Sequence, residues 1–212
     1  MTMLRAVVID NGLHYLEHSF RSNDAVAYRF ERIGAEFDPV FDGADILIVP
    51  NGSDHIAMLR VREKVARFLD AGHALMCFDG WFTNWVPGNR WIMDNSRPTR
   101  DVRYAVVTDR HGVMDGVEID TLIFSHGISG WWACGYIEPN PAAHVLLADT
   151  WGRAIAVIDE VSTPGTIILT ASGPLGDGSY DGEAGGPGLL YHNLIGYIAR
   201  RGAHHERNRA TL

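Results

Sequence analysis

The sequence predicts an α/β fold built on a mostly parallel sheet, and three observations carry that reading. Leu4–Asp10 (LRAVVID), residues 44–50 (ADILIVP) and residues 73–79 (HALMCFD) are almost wholly apolar, the pattern of strands buried on both faces. A helix-length amphipathic segment separates the second run from the third. Each run gives way to turn chemistry, so strands and helices alternate as right-handed βαβ units.

The first strand ends in Asp10-Asn11-Gly12, residues that suit a turn. A helix fits residues 23–33: Asn23 can cap it, Val26, Phe30 and Ile33 share a face, and Gly34 can stop it. A second strand is expected over residues 36–41, and residues 44–50 form the third. The clearest helix follows, with Met58, Val61, Val65, Phe68 and Leu69 as one apolar stripe. Arg60, Arg62, Glu63, Lys64 and Arg67 supply its wet faces, Ser53 or Asp54 caps it, and Gly72 follows its end. Residues 73–79 are the fourth buried strand, closed by Gly80.

Beyond Trp81 the rhythm changes. Strands are expected at residues 102–109, 144–148 and 154–158 and at Thr166–Thr170, and the short Asp149-Thr150-Trp151-Gly152 loop predicts a hairpin. The glycine-rich loop 177–188 lacks the lysine of a phosphate-binding loop. Residues 189–201 read as a closing helix with Leu190, Leu194, Tyr197 and Ile198 on its buried side. The expectation is a flavodoxin-like three-layer sandwich, mostly parallel, with antiparallel hairpins in its second half. One domain spans residues 1–201, followed by a polar tail, 202–212, expected to fray.

Composition narrows the function classes. The 212 residues are 46% hydrophobic and 21% charged, which is ordinary for a globular protein. With 18 basic and 26 acidic residues the formal charge is −8, so nothing general attracts nucleic acid or an anionic membrane. Two cysteines, Cys77 and Cys134, define neither a disulfide framework nor a zinc site. The N-terminus has no secretory-signal pattern, and no run approaches the ~18–20 apolar residues of a membrane span. These features predict a cytoplasmic protein. His14 and His18 are four apart, but no third ligand accompanies them, so neither a metal nor a cofactor is expected. Homo-oligomerisation stays open.

The run ADILIVPNGSD, followed by VREKVARFLDAGHALMCFDGWF, resembles the class I glutamine amidotransferase-like superfamily, and within it the trehalose-utilisation (ThuA-like) proteins. His111-Gly-Val-Met-Asp-Gly is similar to their His-Pro-Ile-x-x-Gly-Leu segment. Thr150-Trp-Gly-Arg-Ala-Ile-Ala-Val resembles a later strand, and residues 190–198 match the closing helix. The resemblance implies a triad: a cysteine at a sharp strand-to-helix elbow, a late histidine, and an acid two residues beyond it. Here the elbow tip falls on Asp79-Gly80-Trp81, Cys77 lies two residues early inside the strand, and Ala171-Ser172-Gly173 stands where the histidine is due. Amidotransferase chemistry by that route is therefore not expected.

In open α/β sheets ligands bind beyond the carboxyl ends of the strands. The fold would gather Asp10, Asn11, Asn51, Asp54, His55, Gly80 and Trp81 there, with Asp79 as a candidate general acid or base. His55, at a helix start, could contact an anion. The plainer alternatives are that Asp10 and Asp79 bond turn amides, that Ser53 and Asp54 only cap, and that His55 is a surface residue. His126 lies in a loop free to join the site, and Trp131-Trp132 follows it. Trp81, Trp85, Trp91 and Trp131 suit stacking on sugar faces, a partner surface, or ordinary core packing. Three functions fit: binding of a small polar, carbohydrate-type ligand, acid–base catalysis on a sugar or amide through Asp79, and a non-catalytic interaction subunit.

Overall fold

The parallel half of the sheet is assembled from strands whose side chains are buried on both faces. A computed structural model describes residues 3–78, 80–98, 101–124, 133–173, 175 and 186–209, with side chains to Ala203 in the last segment. β1 (Leu4–Asp10), α1 (Leu16–Ser19), β2 (Val26–Arg32) and β3 (Ile46–Val49) open the chain. α2 (His55–Arg60), α3 (Arg62–Asp70) and β4 (Ala74–Phe78) follow. The second half holds β5 (Arg90–Met93), β6 (Tyr104–Val106), α4 (Ile119–Phe124), β7 (Gly135–Glu138), β8 (His144–Asp149), β9 (Ala154–Asp159), β10 (Thr166–Thr170) and α5 (Pro187–Arg209).

One ten-stranded sheet runs β2-β1-β3-β4-β10-β9-β7-β5, with β8 on β9 and β6 on β8. β2, β1, β3, β4 and β10 are mutually parallel, the flavodoxin-type order, and β9 then turns antiparallel. Every residue of β3, β4 and β10 is buried, as the apolar runs require. The α/β class, the parallel first half and the antiparallel second half are those expected from sequence. So is the β8–β9 hairpin, where buried Asp149 accepts from the Trp151 and Arg153 amides, both at 2.9 Å.

Four local expectations are corrected. Residues 26–32 form β2 rather than a helix: Asn23 Oδ1 accepts from the Ala25 and Val26 amides, an Asx turn, and the chain pairs with β1 from Leu4↔Val26 to Asp10↔Arg32. Residues 36–41 form no strand, since Pro39 has no amide to donate to a ladder and Phe41 packs on Phe68 instead. The long helix breaks at Val61 (φ −100°, ψ 10°) into α2 and α3, which keep the predicted stripe buried. The closing helix runs on to Arg209, past the expected start of the tail.

The antiparallel half is pinned by one enclosed carboxylate. Asp159, fully buried at the end of β9, accepts from Asn89 Nδ2 at 2.7 Å, Ser162 Oγ at 2.5 Å, and the Val161 and Ser162 amides at 2.9 Å. Removing it strands the donors of Asn89 and of the turn that follows β9. Asp159→Ala is expected to cost about 3 kcal/mol in urea unfolding. Asp38→Ala, which breaks an exposed bridge to Lys64, should cost under ~1 kcal/mol. Equal losses in the two variants would refute the assignment.

Candidate ligand site at the carboxyl ends of the strands

The chain leaves β1 for β2 on one flank and returns to β3 on the other, so the crevice between the ends of β1 and β3 is the topological switch point. Asn51 organises it. Its carbonyl accepts from Asn11 Nδ2 at 2.8 Å, and its Oδ1 accepts from the Tyr15 hydroxyl at 2.7 Å. A Cβ on Gly173, just past β10, would sit 3.0 Å from the Asn51 side chain, tighter than most side-chain contacts, so glycine eases this approach. Burial pushes the Tyr15 phenol up to about 12, which keeps it a donor.

The charged candidates have local partners. Burial opposes ionisation of Asp10, but hydrogen bonds from Arg32 Nη1 (2.9 Å) and the Gly12 amide (2.7 Å) and the Arg32 charge hold its carboxyl below the ordinary value. Asp54 caps α2 through the Ile56 and Ala57 amides at 3.0 and 2.9 Å, whereas Ser53 donates its hydroxyl to the Pro50 carbonyl at 2.7 Å. The cap is thus Asp54 and not Ser53.

His55 is enclosed rather than on the surface. Its ring is 3% exposed, stacks on Trp85 at 6.0 Å, and accepts the Trp85 Nε1 proton at Nδ1 over 3.1 Å. Its carbonyl accepts from Thr83 Oγ1 at 2.6 Å. Burial lowers its pKa to about 4, with Asp54 opposing, so the ring is neutral and carries no charge to attract an anion.

The elbow takes its shape from Gly80, whose φ of +69° is left-handed backbone that a branched side chain would strain. Cys77 is buried in β4 opposite Val49 and Leu169, away from the tip. Trp81 turns inward (2% exposed) while Phe82 turns outward (70% exposed). Trp85 and Trp91 are buried too, so among the described residues the aromatic presented at the rim is Phe82, and Trp81 packs in the core. Sequence reasoning passed over Phe82; its only signal was a place directly after Gly80-Trp81. Leu13 and Ile56 are exposed on the same rim. Asp79, His126, Trp131 and Trp132 lie outside the described residues.

A separate cleft of ≈ 590 Å³, unforeseen in the sequence, lies where β7 and β8 diverge from Ala154. Tyr136, Val145 and Arg153 line it, and Arg153 is already committed to Asp94 (2.6 Å) and Asp149 (2.7 Å). Among the described residues no group of three His, Cys, Asp or Glu side chains is placed to hold a metal, and no helix is long and apolar enough to cross a membrane.

No family model and no curated protein matches the chain. Solved structures do. The cytoplasmic protein STM3548 from Salmonella typhimurium superposes with a TM-score of 0.61 and 12% identity, over 92% of this chain and 99% of that one. STM1381, a cytoplasmic protein from Salmonella typhimurium LT2, gives 0.60 and 10% over the same shares. β-Galactosidases from Rahnella sp. R3 and Bacillus circulans sp. alkalophilus give 0.53, at 16% and 15% identity, over 93% and 94% of this chain but only 31% of their own. At these identities the likeness is one of fold.

Burial of His55 makes stability depend on pH. Its folded pKa lies below the ~6.5 of an unfolded histidine, so the unfolded state binds the proton more readily. Stability is full above that value and falls as the pH drops towards the folded pKa of about 4. Unfolding free energy should drop by about 2 kcal/mol between roughly pH 7 and pH 5 from this residue. A flat urea profile for wild type, or no flattening in His55→Gln, would count against a neutral buried ring.

Proposed function

We propose that this protein is an amidotransferase-fold, ThuA-like domain without the thiol triad, and that it binds a small neutral ligand of carbohydrate type at the carboxyl ends of β1, β3 and β4. The observation that carries this reading is Phe82, an aromatic ring 70% exposed at the elbow where the resemblance would place a nucleophile. Sugars stack on such faces and exchange hydroxyls with amide side chains. Asn11 and Asn51 supply amide groups at the neighbouring strand ends. The buried place of Cys77 supports binding over acyl chemistry. A cytoplasmic location accords with the names of the Salmonella neighbours.

A second reading has its own support. Leu13, Ile56 and Phe82 leave apolar surface on one rim, 43%, 65% and 70% exposed, which suits a protein partner. A thermal-shift panel of mono- and disaccharides separates the two. A ligand at about 100 times its Kd adds about 2.7 kcal/mol, hence a rise of several degrees. Phe82→Ala should weaken that binding about tenfold, roughly 1.4 kcal/mol, with the free protein's melting temperature little changed. No shift across the panel overturns the ligand reading. A concentration-dependent dimer lost in Ile56→Asp, with no sugar response, establishes the docking reading in its place.

A further inference from the structure

Two enclosed N–H donors flank Phe82, those of His55 and Trp91, and neither has an acceptor. Because Trp85 donates to His55 Nδ1, that nitrogen holds the lone pair and the proton of the neutral ring sits on Nε2. His55 Nε2, Trp81 Nε1 and Trp91 Nε1 are all buried without a hydrogen-bond partner. Phe82 stands edge-on to His55 at 5.6 Å and 88°, and edge-on to Trp91 at 5.6 Å and 76°, while Trp81 precedes it in the chain. The three donor residues are 3%, 2% and 8% exposed. Native proteins pair nearly all such groups, so two orphans about one side chain ask for a cause.

We propose that the Nε2–H of His55 and the Nε1–H of Trp91 receive acceptor oxygens of the ligand, hydroxyl or amide carbonyl, once the Phe82 ring turns off them and onto the ligand's face, and so determine which ligands the site accepts. The inference rests on the ligand-binding reading above and deepens it. Indole N–H groups donate only, and so does Nε2 of this histidine tautomer. The matching ligand must therefore present acceptors, and molecules without them leave the donors stranded. Among the described residues the ionised groups at this rim are Asp54 and the closed Asp10–Arg32 pair, which offer no free positive charge to an anion. A neutral polyol or amide fits better than a phosphate or carboxylate. Phe82, exposed and held by ring contacts rather than by a backbone ladder, is the group free to move.

The test uses the full chain labelled with ¹⁵N and titrated with D-galactose, D-glucose and acetamide. The Trp91 indole signal, assigned by its loss in Trp91→Phe, should move downfield with saturating probe, as bonded donors do. Trp91→Phe keeps an aromatic ring and deletes one donor, so it should bind the same probe about tenfold more weakly. Suppose a probe binds in a Phe82-dependent way while the Trp91 indole signal stays fixed and Trp91→Phe binds normally. The donors then serve packing alone, and only the inference falls. If no probe binds wild type, the ligand reading falls and takes the inference with it. Should Trp91→Phe fail to fold, the wild-type indole shifts alone decide.

Discussion

The candidate site depends on β3 being held in parallel between β1 and β4. Ala6↔Ile46 and Val8↔Ile48 join it on one flank, Ile46↔Ala74 and Val49↔Cys77 on the other. Parallel strands finish at the same edge, so the turn residues Asn11, Asn51 and Gly80 must gather there. The same ladder denies polar side chains to β3 and β4, because both faces are covered. Polarity is therefore confined to the strand ends, and the register places Cys77 where it can only pack. Absence of the thiol from the elbow tip follows from a fully paired strand.

Most of the parallel half was legible because buried strands announce themselves as apolar runs and because the α2–α3 stripe has helical period. The error at residues 26–32 is instructive. Val26, Phe30 and Ile33 fit a helical face, yet Val26, Tyr28 and Phe30 also alternate, and local pattern alone does not choose. The choice is made by seven backbone pairings to β1, a partner distant in sequence. β5 and β7 were missed for a related reason, being four residues each and defined by each other across more than forty positions. At the site, the elbow was legible from glycine and turn chemistry. Which aromatic faces outward was not, since that depends on the left-handed turn at Gly80. His55 looked like a surface helix start, and Trp85, thirty residues on, encloses it.

The molecule treats enclosed polarity in two opposed ways. Asp159 is fully buried, and four donors answer it. At the elbow the balance is reversed: His55 Nε2, Trp81 Nε1 and Trp91 Nε1 are enclosed and have no acceptor among the described residues. Each unpaired group costs about 1–3 kcal/mol, enough in sum to be a large share of a domain's stability. Local departures from polar satisfaction concentrate where function requires them. The contrast between the two nodes is the physical reason to look for an acceptor at the elbow and nowhere else along this segment.

The segment that joins these nodes limits how the site can respond. Beyond Gly80 the chain is tied by Thr83 Oγ1 to the His55 carbonyl and by Trp85 Nε1 to the His55 ring. Six residues past Thr83, Asn89 is held by Asp159. A backbone so pinned at both ends cannot open as a lid without breaking buried hydrogen bonds on each side. Phe82 lies between the elbow and the first pin, with its ring outward, so a rotamer change there is the least costly motion available. A site that opens by one side chain keeps its donors preorganised and loses little order on binding. Such a site discriminates by where acceptor oxygens fall, not by how far the protein can close around its ligand.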